Sequence, residues 1–167
     1  MERKILTLEP EKCTGCRICE LACSFAKSRE FNPLVSRVKI LKSDNEGVSC
    51  PIVCVHCEDP PCRVVCPVEA IVRDHKTKGI LIREDVCIGC RACLIVCPYG
   101  AISMDGRKGT MLKCDLCEGN PVCVKMCPTD AIRYVRADLV DFSKKHAMMK
   151  KITEGVVASR KIVSRGL

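Results

Sequence analysis

The sequence predicts an α+β fold of short helices and small two-stranded antiparallel sheets, arranged as two lobes and held by bound inorganic groups rather than by a large apolar core. Three observations predict it. The 167-residue chain carries 17 Cys; Phe and Tyr supply only 3 and 2 side chains and Trp none; and one six-residue phrase occurs three times. So few aromatic side chains cannot build the usual core, so a different staple is required. No run approaches the ~18 to 20 apolar residues of a membrane span. The opening M-E-R-K-I-L-T-L-E-P-E-K-C has no apolar signal region, so the expected compartment is the reducing cytoplasm, where disulfides do not persist. An odd number of thiols also argues against a disulfide framework.

Sixteen of the cysteines fall into four groups: Cys13, Cys16, Cys19 and Cys23; Cys54, Cys57, Cys62 and Cys66; Cys87, Cys90, Cys93 and Cys97; Cys114, Cys117, Cys123 and Cys127. Every group opens with C-x2-C and ends with C-x3-C. The first and third read C-x2-C-x2-C-x3-C, and Pro67, Pro98 and Pro128 follow the last three. That run belongs to bacterial ferredoxins, so the lobes are expected to be bacterial-ferredoxin-like, with four [4Fe-4S] clusters bound by the sixteen Cys.

The chemistry accounts for the spacing. A cubane takes thiolates at neighbouring corners, and a tight loop supplies three while its backbone N–H groups point at the sulfurs. Gly15 and Gly89, inside C-T-G-C and C-I-G-C, can take positive φ and let the backbone close. The fourth Cys lies one helical turn beyond the third, about 6 Å along the axis, and points to a neighbouring cluster. Two facing groups then exchange fourth ligands, with centres on the order of 10 Å apart. Zinc is a poorer fit, since three Cys crowd into a few residues and only three His are present. Cys50, Cys54 and Cys57 also spell C-x3-C-x2-C, the spacing of radical enzymes that cleave S-adenosylmethionine, but the chain has no room for their barrel. Cys50 is therefore read as a spare, a buried small hydrophobe.

The elements follow from the repeat. C-P-V-E-A-I at 66–71, C-P-Y-G-A-I at 97–102 and C-P-T-D-A-I at 127–132 mark a duplicated unit in which Ala and Ile begin a short strand after each helical turn. Ile71-Val72 and Ile80-Leu81-Ile82 flank a polar turn ending in Gly79, which predicts a hairpin. Ile102-Ser103-Met104 and Thr110-Met111-Leu112 flank D-G-R-K-G in the same way. The first group departs from the pattern: Ser24 follows Cys23, and Arg37-Val38-Lys39-Ile40-Leu41 is a strand candidate before the second group. Spacing alone lets the second group pair with the third, or the third with the fourth.

Residues 3–136 resemble the four-cluster iron-sulfur subunits of molybdenum and tungsten oxidoreductases, the family of the dimethyl sulfoxide reductase and formate dehydrogenase subunits. E-K-C-T-G-C-R-I-C-E-L-A-C-S at 11–24, F-N-P-L-V-S-R-V at 31–38 and K-C-D-L-C-E-G-N-P-V-C-V-K-M-C-P-T-D-A-I at 113–132 look most like the small subunit beside tungsten aldehyde oxidoreductase or benzoyl-CoA reductase. The resemblance implies four ligand sets: Cys13, Cys16 and Cys19 with Cys127; Cys114, Cys117 and Cys123 with Cys23; Cys54, Cys57 and Cys62 with Cys97; Cys87, Cys90 and Cys93 with Cys66. It implies one four-cluster domain over 1–138, with an outer lobe from 1–35 and 108–138 and an inner lobe from 50–107, followed by a tail over 139–167.

Charge changes meaning once clusters are counted. The formal +8 suggests a nucleic-acid or membrane partner. Each oxidised cluster with four thiolates carries about −2, so four bring the loaded protein near neutral. Residues 139–167 hold seven Lys or Arg against Asp141 and Glu154, and Met148, Ile152, Val156 and Val163 recur near a helical face. A basic amphipathic helix is expected there, packed on the chain's own lobes or docked on a partner. His56, His75 and His146 read as surface residues or as mere neighbours of a site, and His56 alone, one residue before Cys57, offers the alternative of a hydrogen bond to sulfur that tunes a potential. No G-x-G-x-x-G, Walker loop or nucleophile beside a base is present, so flavin, nicotinamide and nucleotide chemistry is not expected.

The expected function is that of a non-catalytic subunit relaying single electrons through four [4Fe-4S] clusters, to or from a catalytic subunit that by resemblance carries a tungsten or molybdenum pterin. Another electron-transfer subunit or further copies of the chain are the other candidate partners, and the alternative functions are a free polyferredoxin shuttle and the electron-transfer subunit of a hydrogenase or carbon monoxide dehydrogenase complex. No nucleic-acid partner and no membrane span are expected.

Overall fold

A computed structural model describes residues 3–140, so the basic amphipathic tail expected from 139 onward lies outside the described residues apart from its first two positions. The strands are β1 (Lys4–Leu8), β2 (Val38–Ser43), β3 (Val48–Val53), β4 (Ile71–Arg73), β5 (Ile80–Ile82), β6 (Ile102–Met104), β7 (Met111–Lys113) and β8 (Ile132–Arg136). The helices are α1 (Ile18–Ser28), α2 (Pro61–Val64), α3 (Ala92–Val96) and α4 (Val122–Lys125). The strands form four two-stranded antiparallel sheets, β1 with β8, β2 with β3, β4 with β5 and β6 with β7. Short helices and small hairpins are the α+β class that the sequence predicts.

Helix length follows the Cys-Pro junction. A residue before proline is driven out of the helical region, so α2, α3 and α4 stop at or before the Cys of Cys66-Pro67, Cys97-Pro98 and Cys127-Pro128. The first group has no such proline. There α1 runs on through Cys23 to Ser28, and the Ser24 hydroxyl bonds back to the Leu21 carbonyl at 2.9 Å.

Two of the hairpins are the expected ones, each with a loop organised by an aspartate. In β4–β5 the Asp74 carboxylate accepts from the backbone N–H and the hydroxyl of Thr77, both at 2.6 Å. In β6–β7 the Asp105 carboxylate accepts from the N–H groups of Arg107 at 2.9 Å and Lys108 at 3.3 Å. The second hairpin sits one residue later than the sequence pattern suggests: Lys113 faces Ile102 and Thr110 stays in the loop. The strand candidate at 37–41 is present as β2, but its partner β3, from Val48 to Val53, is an element that the pattern did not reveal. Nor did it reveal the pairing of β1 with β8, Leu6 opposite Tyr134, which joins segments near the two ends of the described chain.

The buried side chains form two groups. One unites Leu6, Val38, Ile40, Val53, Leu116 and Ile132 with Cys19, Cys23, Cys54, Cys114 and Cys123; the other unites Ile71, Ile80, Ile102 and Met111 with Cys62 and Cys93. Cysteine thus occupies the core positions that the missing aromatic residues leave open. Glu20 ties α1 to the first group: it is buried, accepts from the Ile40 N–H at 2.7 Å and pairs with Arg17 at 3.2 Å.

Candidate metal centre

The residue before the second Cys of each group has a left-handed backbone: Gly15 at φ +68°, His56 at +49°, Gly89 at +67° and Leu116 at +59°. Sequence reasoning expected this at the two glycines and missed it at His56 and Leu116, where the side chain concealed it. The turn is needed to bring backbone N–H groups over sulfur. His56 N–H donates to Cys54 Sγ at 3.3 Å and Leu116 N–H to Cys114 Sγ at 3.4 Å. Arg37 N–H donates to Cys23 Sγ at 3.3 Å. At Gly89 a Cβ would run into the Gly109 carbonyl oxygen, so glycine is required there twice over.

The structure brings thiols of different groups together. One hollow is lined by Cys54, Cys57, Cys62 and Cys97, another by Cys66, Cys87, Cys90 and Cys93. Each takes three cysteines from one group and the last from the other. Cys19 lies within electrostatic reach of Cys16 and of Cys127, more than 100 residues away, and Cys123 within reach of Cys117 and Cys23. Cys13 packs against the larger buried group. Cys50 stands apart from the four groups on β3. It is half-buried rather than buried, with its thiol directed at the Pro51 carbonyl and its pKa raised by burial and by Cys13 and Glu11.

Burial dominates the thiol electrostatics. It pushes Cys19 and Cys123 up to about 12 and Cys93 to about 11, with negative neighbours adding to the effect, and it raises Cys114 well above the ordinary thiol value. Cys127 goes the other way: burial raises it, but the N–H groups of Ile132, Thr129 and Ala131 and the Thr129 hydroxyl together bring it below the usual value. A metal that coordinates such thiols deprotonates them outright.

The residues fit an iron-sulfur cluster. Beside the four thiols, the second hollow has the apolar walls of Val68, Ala70, Ile71, Ile82, Ile88 and Met111. An all-thiol donor set in an apolar shell with N–H groups on sulfur is the environment of such clusters. Among the described residues no three Cys, His, Asp or Glu converge closely enough to hold a single ion. Thiols set around a hollow answer to a larger inorganic group.

Two polar residues at the site depart from the sequence reading. His56 is 1 % exposed, and among the described residues its ring donates to no sulfur: Nδ1 accepts from the Ile80 N–H at 2.9 Å, and Nε2 is buried with no partner among them. Burial, helped by the Lys113 charge, pushes its pKa down to about 3, so the ring is neutral. His75 is exposed, as expected, and His146 lies outside the described residues. Lys113, which opens the motif at 113–132 but was given no role there, lines the first hollow with a buried side chain. Its signal in the sequence was its place directly before Cys114, at the end of the strand Met111-Leu112-Lys113.

Known proteins place these features in a family. Residues 46–137 match the family described as 4Fe-4S dicluster domain. Hydrogenase-4 component A of Escherichia coli (strain K12) is 39 % identical over 105 residues, which is 63 % of this chain and 49 % of that protein. The polyferredoxin-like subunit of aliphatic sulfonate oxidoreductase from Pyrococcus furiosus is 39 % identical over 97 residues, 58 % of this chain and 56 % of that one. The chain thus spans about half the length of these relatives. A chain of the benzoyl coenzyme A reductase active-site complex BamBC, solved with zinc, shares the fold at a TM-score of 0.51 and 22 % identity, over 96 % of this chain and 98 % of that one. Among the described residues no helix is long and apolar enough to cross a membrane. The matched span contains the second, third and fourth cysteine groups, thiols of the second and third are mixed around common hollows, and the chain is a member of the 4Fe-4S dicluster domain family.

Proposed function

We propose that this chain is a non-catalytic electron-transfer subunit that holds four [4Fe-4S] clusters and passes single electrons between a catalytic oxidoreductase subunit and a second redox partner. The carrying observation is that each of two hollows is ringed by four thiols drawn from two cysteine groups. Bound clusters would supply one-electron chemistry without proton or group transfer. The chain's own residues bind and orient them: Cys54, Cys57, Cys62 and Cys97 for one; Cys87, Cys90, Cys93 and Cys66 for the next; Cys13, Cys16, Cys19 and Cys127; and Cys114, Cys117, Cys123 and Cys23. The proximity of Cys19 to Cys127 and of Cys123 to Cys23 supports the last two sets. The proposed outer lobe over 1–35 and 108–138 and inner lobe over 50–107 follow these ligand sets, and the two buried groups cross the bounds at Val53, Cys54 and Met111.

The proposed partner carries a tungsten or molybdenum pterin, in keeping with the resemblance to subunits of such oxidoreductases. Stacked Phe25 and Phe31, with ring centroids 4.9 Å apart, and nearby Leu34 form exposed apolar surface that suits docking. Seventeen cysteines free of disulfides suit a reducing cytoplasm. A second reading, a subunit of a hydrogenase complex, is favoured by the names of Hydrogenase-4 component A and formate hydrogenlyase subunit 2 among the relatives.

Anaerobic purification of the native complex tests both. About sixteen irons and as many acid-labile sulfides per chain are expected, with tungsten or molybdenum in a co-purifying subunit. Hydrogen uptake or evolution by the complex, without either metal, would favour the second reading. A lone chain of 18.5 kDa would point to a free shuttle.

A further inference from the structure

Lys113 closes β7 with only 5 % of its surface exposed. Its Nζ donates to the Ile80 carbonyl and, at 3.5 Å, to the Cys114 carbonyl; among the described residues it has no carboxylate at ion-pair distance. A lysine sealed from water keeps its charge only when an opposite charge balances it, because two carbonyl dipoles do not replace the water the ammonium gives up. The partly buried cations Lys27 and Arg37, by contrast, share the Asp115 carboxylate.

Lys113 lines one hollow together with Cys54, Cys57, Cys62 and Cys97. The Lys113 charge favours the thiolate forms of Cys57 and Cys62, against the burial that raises both, and acts in the same sense on Cys114. Cys54 and Cys114 belong to different groups yet lie in electrostatic reach of one another, so the ammonium stands where two cradles meet.

We propose that Lys113 is the buried counter-cation of the cluster bound by Cys54, Cys57, Cys62 and Cys97 and raises its reduction potential. The inference rests on the four-cluster reading above. Reduction adds one negative charge and no proton to the group in this hollow. A fixed cation in a low-dielectric wall favours the more negative state, and salt does not screen it as it would a surface lysine. The placement beside Cys114 puts this bias at the crossing from one cradle to the next.

Potentiometric titration of the loaded full-length chain, followed by electron paramagnetic resonance, tests this on Lys113→Met, Lys113→Gln and Lys113→Arg, with iron and sulfide counted on each. In both neutral variants one midpoint is expected to fall by about 59 mV, a tenfold loss in the equilibrium constant for one-electron reduction. The arginine variant is expected to keep it. Loss of one cluster's iron from both neutral variants but not from the arginine variant supports the proposal equally, since the charge is then needed to hold the anion. Unchanged midpoints in a fully loaded neutral variant, or equal loss of iron from all three variants, overturn it. A wild-type chain without the iron of four clusters would instead overturn the reading on which it rests.

Discussion

His56 donates its backbone N–H to Cys54 Sγ at 3.3 Å from a left-handed conformation, φ +49°. Leu116 does the same for Cys114 at 3.4 Å. The corresponding positions in the other groups are Gly15 and Gly89, so the same turn is made at all four groups, with glycine at only two. A non-glycine residue there costs about 1–2 kcal/mol, and His56 and Leu116 offset it by filling the core with buried side chains.

Gly89→Ala is expected to destabilise the protein by more than the ~1–2 kcal/mol of a left-handed alanine, since the new Cβ meets the Gly109 carbonyl oxygen. Urea unfolding of the loaded chain measures the loss. Gly47, also left-handed at φ +63° but with open space where a Cβ would go, is the control and should show only the backbone cost.

Replacing Cys127 with Ser tests the ligand exchange. The expected outcome is a fall from about sixteen to about twelve irons, with the lost spectroscopic signal being that of the cluster held by Cys13, Cys16 and Cys19. Loss of the cluster of Cys114, Cys117 and Cys123 would show that each group serves its own cluster. Cys50→Ala, by contrast, is expected to leave the iron count unchanged.

Glu20→Ala removes the acceptor of a buried N–H, that of Ile40. An unpaired buried donor costs about 1–3 kcal/mol, and the loss should appear in thermal unfolding as a lower midpoint. Hydrogen exchange at Ile40 is expected to rise more than at Val38, because only the first depends on α1.

Asp115 gives a pH dependence. Burial raises its pKa, but the hydrogen bond from Lys27 at 2.6 Å, the Cys117 N–H and the Arg37 charge outweigh that and hold the carboxyl below its ordinary value of 3.8. The stabilisation is therefore complete above that value and is lost as pH falls through the lower folded one. Asp115→Asn keeps an acceptor for the Cys117 N–H but not the charge. As pH is lowered from about 6 toward 4, its unfolding free energy should fall less steeply than that of the wild type, as read by urea unfolding of the loaded chain.

Local chemistry was legible in the sequence. The sixteen grouped cysteines, the prolines that stop α2, α3 and α4, and the Asp-led loops between β4 and β5 and between β6 and β7 all depend on residues a few positions apart, where spacing is geometry. β7 begins and ends one residue later than the sequence pattern suggests, because the Lys113 side chain is buried against the Ile80 carbonyl and the strand extends to it.

By itself, the sequence determined the class of the fold and the donor set, because thiols at C-x2-C spacing in a chain poor in aromatic residues leave few other ways to hold together. The tertiary structure alone decided that β1 pairs with β8, that β2 finds β3 and that a lysine is sealed beside the hollow of Cys54. These are contacts between distant segments. Their free energy comes from burying surfaces against each other, and no spacing within one segment reports which surface will be buried.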